Sequence, residues 1–291
     1  VTPKEQSFVK TVSKILNPYQ THLDAVFSTE LDGMGEDTPL RKACEYAMKG
    51  GGKRLRPALV WMVAESLDSK SSVDLAALAV EFFHISSLIT DDLPCMDNDD
   101  FRRGVPTTHK VFSEATAILA SFALTSAGFE AITRIPIVSS NAYEILKTAT
   151  CKASRAIGLH GLIGGQYLDT NPPNLERETI HTMIEKKTVV LFDLALTFGW
   201  IFGGGSLDRL HDVTALGVHF GRAFQILDDL LDMEQDIAAK KQINYALLFG
   251  EDAAKKQLLH DVAQVDSVAS SLHLSKSPIV TIAMAMGSMV H

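Results

Sequence analysis

Apolar residues recur three and four positions apart along most of this chain, and that spacing restricts its fold more than any other feature. Leu75, Leu78, Ala79, Phe82, Ile85, Leu88 and Ile89 form one such stripe, with the period of a helix that buries one face. Comparable stripes run from Lys42 to Ala47, Leu59 to Leu67, Thr116 to Ile132, Ala142 to Ala156 and Val213 to Leu231. No stretch of similar length alternates with the period of two that a half-buried strand needs. Interruptions fall at Gly33 to Gly35, Gly50 to Gly52, Asn171 to Asn174 and Gly203 to Gly205, all suited to loops. There is no internal repeat and no Pro-rich or Ser-rich linker. The expectation is therefore an all-α chain, a single domain over residues 1–291 built as a bundle of antiparallel helices.

A chain of 291 residues is long enough for core size to be no constraint. Its 46% hydrophobic and 21% charged residues are those of a globular protein. The net charge of -8, with no dense Lys/Arg face, argues against a nucleic-acid partner. The longest apolar stretch, Val189 to Gly205, carries Asp193 and ends in three glycines; it reads as a buried helix and not as a membrane span. Cys44, Cys95 and Cys151 form no close pair. That usage suits a reducing cytoplasm, with the three thiols expected to be small buried hydrophobes. The start lacks the charged-then-apolar order of a secretory signal, although Val1 leaves a trimmed leader open.

Three clusters carry chemistry. Asp91 and Asp92, followed by Asp97, Asp99 and Asp100, come directly after a very apolar helix. Carboxylates packed so densely repel one another unless divalent cations neutralise them, and hard oxygen ligands around a diphosphate suit magnesium. Read by itself, the segment is equally an acidic loop with no ligand. On an unbroken helix at ~100° per residue, Asp97 would point away from Asp91; Pro94 is expected to break the helix and bring it back. The second cluster is Asp228, Asp229 and Asp232, inside another apolar helix, where Asp228 and Asp232 share a face. Two such faces across a cavity would clamp several cations and a polyphosphate. The third cluster is cationic: Lys53, Arg54 and Arg56 follow Gly50 to Gly52, where close backbone approach and helix amides favour a phosphate group. This is not the P-loop order, and a plain loop with surface cations has the same look. Arg102 and Arg103 add anion-binding capacity beyond the first acidic cluster.

These segments occur in the order seen in the trans-prenyl diphosphate synthase family. Gly51 to Pro57 resembles that family's GGKRLRP segment, and His84 through Asp91 to Gly104 resembles its first aspartate-rich motif with trailing arginines. Gly164, Gly165, Gln166 and Asp169 are similar to its GGQxxD, Lys187 and Thr188 to its Lys-Thr pair, and Phe224 to Asp232 to its FQxxDDxxD. The resemblance implies a helical bundle around a central cavity, of the isoprenoid synthase type. It implies an enzyme that elongates an allylic diphosphate with isopentenyl diphosphate, uses about three magnesium ions, and works as a homodimer.

By the same resemblance, Lys53, Arg56, His84 and Arg103 hold the diphosphate of isopentenyl diphosphate. Arg102, Lys187, Thr188 and Gln225 hold the allylic diphosphate, and Lys187, Arg102 and Gln225 assist its departure. Asp91, Asp92, Asp97, Asp228, Asp229 and Asp232 carry the metals. Gln166 and Asp169 are expected to orient Lys187 or a metal-bound water. His84 is also what a satisfied core histidine looks like on an apolar helix. The chain departs from the family after Asp232, where a longer loop usually precedes a Lys-x-x-Tyr segment, and Lys240 or Lys241 stands where its lysine is sought.

Product length is expected to follow cavity depth. At ~1.5 Å rise per residue, Ser86 and Ser87 lie about 6 to 8 Å below Asp91, where farnesyl-making relatives often place an aromatic residue. Two small residues leave the floor open, which favours geranylgeranyl diphosphate, with farnesyl diphosphate second and Phe82 or Phe83 as residues able to close the pocket. A class I terpene cyclase and a catalytically silent regulatory subunit are the alternatives; Asp228, Asp229 and Asp232 disfavour the first, and the two intact clusters the second.

Overall fold

The computed structural model describes residues 3–31, 33–238 and 243–290; Lys240 and Lys241 lie outside the described residues. The chain is helical nearly throughout. Four helices come first: α1 (Pro3–Leu31), α2 (Pro39–Lys49), α3 (Leu55–Ser66) and α4 (Asp74–Asp91). A two-stranded antiparallel hairpin follows, β1 (Phe101–Arg102) with β2 (Val105–Pro106), pairing Phe101 with Pro106. Then come α5 (Thr108–Val111), α6 (Glu114–Thr133), α7 (Ala142–Ile157), α8 (Leu162–Thr170) and α9 (Arg177–Ile184). A π-helical turn over Glu185–Val189 joins α9 to α10 (Val190–Phe202). The chain closes with α11 (Leu210–Leu231), α12 (Met233–Ala238), α13 (Tyr245–Phe249), α14 (Glu251–Ser271) and α15 (Pro278–Ser288).

Burial explains the arrangement. Every residue of α10 from Leu191 to Phe202 is buried, and this helix packs on α3, α4, α7 and α11. A helix apolar all round must occupy the centre, so the apolar stretch singled out in the sequence is the core of the bundle. Asp193, its one ionisable residue, is neutralised by Lys152 of α7, whose ammonium lies 2.8 Å from Asp193 and also donates to Thr214 of α11. Helices joined by short loops and packed on each other, α3 with α4 and α10 with α11, run antiparallel. Among the described residues one helix, α6, has the length and composition to cross a membrane; here it packs along α4 and α2.

Each expected stripe lies within a helix, except that Leu67 falls one residue past the end of α3, and each expected break lies between helices. The short hairpin was not foreseen, since two residues per strand leave no alternation to read. The cysteines correct one expectation. Cys44 is buried, but Cys95 and Cys151 are exposed, because the first sits in the turn after α4 and the second on the outer face of α7.

Candidate active site

The site lies where the C-terminal ends of α4 and α11 approach the loop before α3. Among half-buried residues of α4, His84, Ser87 and Asp91 are spaced by three and four, so they share one face. Asp91 ends the helix. Past Pro94 the chain folds back, and the Asp97 amide donates to the Asp91 carbonyl at 2.9 Å. The break expected at Pro94 thus brings Asp97 beside Asp91. Burial pushes the Asp91 carboxyl up to about 6, with Lys187 opposing the shift and Asp97 adding to it. Burial likewise raises Asp97.

Asp92 points elsewhere. It is buried, and its Oδ1 accepts from Arg102 Nε at 2.5 Å, a contact that anchors the loop carrying both arginines. Arg103 turns the other way and donates to the carbonyl of Gly51. Its side chain lies over Gly52, where φ is +115° and a Cβ would come within 2.1 Å of the guanidinium. Glycine at that position is therefore required twice, for the backbone and for the close approach.

The π-helical turn joins the two acidic ends. Lys187 pairs with Asp169 of α8. Burial alone would lower the lysine's pKa, but the fields of Asp91, Asp169 and Asp97 outweigh it and raise it. The next residue, Thr188, donates to Gln225 of α11 at 2.8 Å, and Gln225 donates on to Asp229 at 2.8 Å. One side of the turn thus serves the α4 carboxylates and the other the α11 carboxylates. Extra turns of this kind inside a helix displace side chains from helical register and recur at functional sites. Gly165 lets α8 approach the turn's backbone, since a Cβ there would fall 2.5 Å from the Lys187 backbone nitrogen. Gln166, expected to orient Lys187 or a water, has a buried side-chain amide with no partner among the described residues.

Asp229 is held by backbone: its Oδ2 accepts from the Tyr245 amide at 2.8 Å, and Asn244 donates to its carbonyl. Burial nevertheless pushes it up to about 6. Asp232 caps α11, with its amide on the Asp228 carbonyl. Asp228 is exposed and lines a cavity of about 550 Å³ together with Lys53, Arg54, Arg56, Glu81, His84 and Arg103. Phe224, one turn before Asp228, completes that wall. Burial lowers Arg56 to about 10, and it holds His84 well below the usual histidine range, helped by the adjacent Arg56 and Arg103. His84 is therefore an uncharged donor and acceptor at neutral pH. The hollow thus gathers four cationic side chains, Lys53, Arg54, Arg56 and Arg103, with the carboxylates Glu81 and Asp228.

Ser86 and Ser87 separate. Ser86 is buried toward α6, where Thr125 donates to its hydroxyl and Ser121 to its carbonyl. Ser87 stays on the face shared with His84 and Asp91. Below it, Phe83 is fully buried against Phe129 and Gly128 of α6.

The acidic donors are all carboxylate oxygens, which suit a small hard cation such as magnesium. Among the described residues no three acidic, His or Cys side chains converge closely enough to hold an ion unaided. Sequence reading did not single out Asn244, Tyr245, or Arg54 and Glu81 as a pair. Glu81 had a signal, being a lone carboxylate in an apolar stripe one turn before His84. Asn244 had none, because it acts through the cap of α13.

The protein is a helical bundle with two acidic helix ends, a lysine turn between them and an adjoining cationic hollow. The family described as polyprenyl synthetase matches residues 37–257, and the chain belongs to it. It is 38% identical over 250 residues to a heterodimeric geranylgeranyl pyrophosphate synthase large subunit 2 of Arabidopsis thaliana, covering 79% of this chain and 65% of that protein. It is 37% identical over 240 residues to the chloroplastic geranylgeranyl pyrophosphate synthase 3 of the same plant, covering 76% and 66%. The chain thus spans slightly less than two thirds of the length of these relatives. Among solved structures it resembles an FPP/GFPP synthase from Zymomonas mobilis, with TM-score 0.78, 30% identity and 98% of each chain covered. It also resembles a geranyltransferase from Legionella pneumophila, with TM-score 0.81, 25% identity and 97% of each chain covered.

Proposed function

We propose that this protein is a magnesium-dependent prenyltransferase, a short-chain trans-prenyl diphosphate synthase that condenses isopentenyl diphosphate with an allylic diphosphate. The observation that carries the reading is the Lys187–Thr188 turn, where Lys187 pairs with Asp169 within the field of the Asp91 and Asp97 carboxylates and Thr188 bonds the Gln225–Asp229 pair. Lys53, Arg56, His84 and Arg103 take the diphosphate of isopentenyl diphosphate in the cationic hollow. Lys187, Thr188, Gln225 and Arg102 take the allylic diphosphate beside the acidic ends. Asp91, Asp97, Asp228 and Asp232 would hold magnesium, with Asp229 and Asp92 in support, since one is fastened by backbone and the other by Arg102. Bound magnesium supplies electrophilic stabilisation of the departing diphosphate.

The allylic carbon–oxygen bond breaks, and its electron pair leaves with the diphosphate, whose charge Lys187 and Arg102 stabilise. The double bond of isopentenyl diphosphate then bonds to the allylic carbon. The proton lost from isopentenyl diphosphate passes to the released diphosphate, so no separate protein base is needed.

The product we favour is geranylgeranyl diphosphate, with farnesyl diphosphate second. Ser87 supports it, as a small residue on the α4 face shared with His84, below Asp91. The apolar residues Ile118, Leu119 and Phe122, 40%, 53% and 66% exposed on α6, support assembly as a homodimer. Incorporation of labelled isopentenyl diphosphate by the purified chain, with and without magnesium, tests the activity; no incorporation with magnesium present would overturn it. Chromatography of the products tests the length, and mainly farnesyl output would refute the argument from small residues. Ser87→Phe is expected to shorten the product more than Ser86→Phe, which instead breaks the polar contact with α6.

A further inference from the structure

The cationic hollow contains one carboxylate that the proposed reaction does not use. Glu81 of α4 is 1% exposed, in a place where an unpaired carboxylate would be strongly disfavoured. Its Oε1 accepts from Arg54 Nη1 at 2.5 Å, and the other end of the Arg54 guanidinium donates to the Met48 carbonyl. Arg54 is itself buried and has φ of +50°, a conformation that non-glycine residues adopt only when their surroundings hold them there. Arg54 therefore acts as a strut between the end of α2 and α4. It keeps Lys53 and Arg56, its neighbours in sequence, at the rim of the hollow.

Glu81 also reaches the two arginines beyond Arg54. It is the foremost charged group favouring the ionised forms of Arg56 and Arg103 against burial. Its second oxygen, Oε2, is buried without a hydrogen-bond partner among the described residues, and so is Arg56 Nε. The Arg56 guanidinium lies over the Phe192 ring, 4.3 Å from the centroid. Among the described residues a buried acceptor and a buried donor thus stand without partners around one cavity, lined by Arg54, Arg56 and Arg103.

We propose that Glu81, through Arg54, is a positioning residue for the isopentenyl diphosphate pocket: it neutralises the strut and holds Arg56 and Arg103 apart and aimed at the diphosphate before the substrate arrives. The inference rests on the reading of the hollow as that substrate's site. Glu81 touches no reacting atom, and its effect falls on one substrate only. The allylic side is organised by Lys187, Thr188 and Gln225, on other elements.

The test compares wild type, Glu81→Gln and Glu81→Asp by steady-state kinetics with each substrate varied, and by calorimetric binding of isopentenyl diphosphate alone. Glu81→Gln is expected to raise KM for isopentenyl diphosphate by about tenfold or more, the scale of one charge-assisted hydrogen bond, and to leave KM for the allylic substrate unchanged. Glu81→Asp, which keeps the charge and folds more readily, is expected to recover part of the loss. An unchanged KM for isopentenyl diphosphate, or an equal rise in both KM values, would overturn the proposal. So would wild-type affinity in Arg54→Met/Glu81→Met, which would show that the pair only compensates itself. If wild type incorporates no isopentenyl diphosphate, the reaction reading fails, and the calorimetric comparison still decides the role of Glu81.

Discussion

At the scale of single residues, the site is governed by which charges are buried beside which. Lys187 keeps its proton because Asp91, Asp169 and Asp97 outweigh its desolvation. Asp169→Asn is expected to slacken Lys187 and reduce turnover by about tenfold, measured as incorporation rate at saturating substrates, with little change in melting temperature. A second buried pair, Lys152 with Asp193, is structural. Burial raises Asp193, and Lys152 is its main counterweight. Removing the ammonium in Lys152→Met raises that carboxyl further, so its proton is bound more tightly in the folded than in the unfolded chain. Stability is then present at low pH and lost as pH rises through the raised value. The variant is expected to lose about 3 to 5 kcal/mol at pH 8 and less at pH 5, checked by melting at both. The thiols give a third expectation. Burial pushes Cys44 up to about 11, whereas Cys95 and Cys151 are exposed. Maleimide should label only the two exposed cysteines in the folded protein and all three after denaturation, counted by mass.

At the scale of elements, the catalytic geometry depends on contacts between helices distant in sequence. Gly165 lets α8 rest on the π-helical turn, and Gly165→Ala is expected to push that turn aside. It should cost about 1 to 3 kcal/mol of stability and most of the incorporation activity, read from melting and turnover together. Asn244 caps α13 through the Leu247 amide and bonds both Asp229 and Asp236. Much of the site was legible beforehand at this scale. Asp228 could be read because it is a charge placed within an apolar helix, Asp91 and Asp97 because they belong to a dense acidic cluster directly after one, and Lys187 through the resemblance of the Lys187–Thr188 pair to the family's. The break at Pro94 could be read because ring geometry alone ends a helix. The pairing of Asp92 with Arg102, and the turning of Ser86 away from Ser87, could not. They depend on where α6 and the hairpin lie against α4, and the local pattern contains no trace of those neighbours.

At the scale of the whole molecule, α10 is buried end to end and the remaining helices are layered around it, so one core supports both acidic helix ends. The outward face of α6 is one apolar surface left by that arrangement, with Phe122 at 66% exposure. Phe122→Glu is expected to convert a dimer to a monomer, measured by light scattering, while leaving the helical signal in circular dichroism intact. A wild-type chain that scatters as a monomer would refute the dimer.

Helical period, the positions of the breaks and the unusual density of carboxylates in apolar surroundings were determined by the sequence alone, because each follows from backbone sterics or from the cost of placing like charges together. The tertiary structure alone decided which carboxylates face the hollow and which are tied back. It also decided that Glu81 and Arg54 brace the cationic pocket, and that two of three cysteines reach the surface. Those outcomes depend on the relative placement of helices distant in sequence, and a side chain's partner across a packed interface is set by that placement and by nothing in its own neighbourhood.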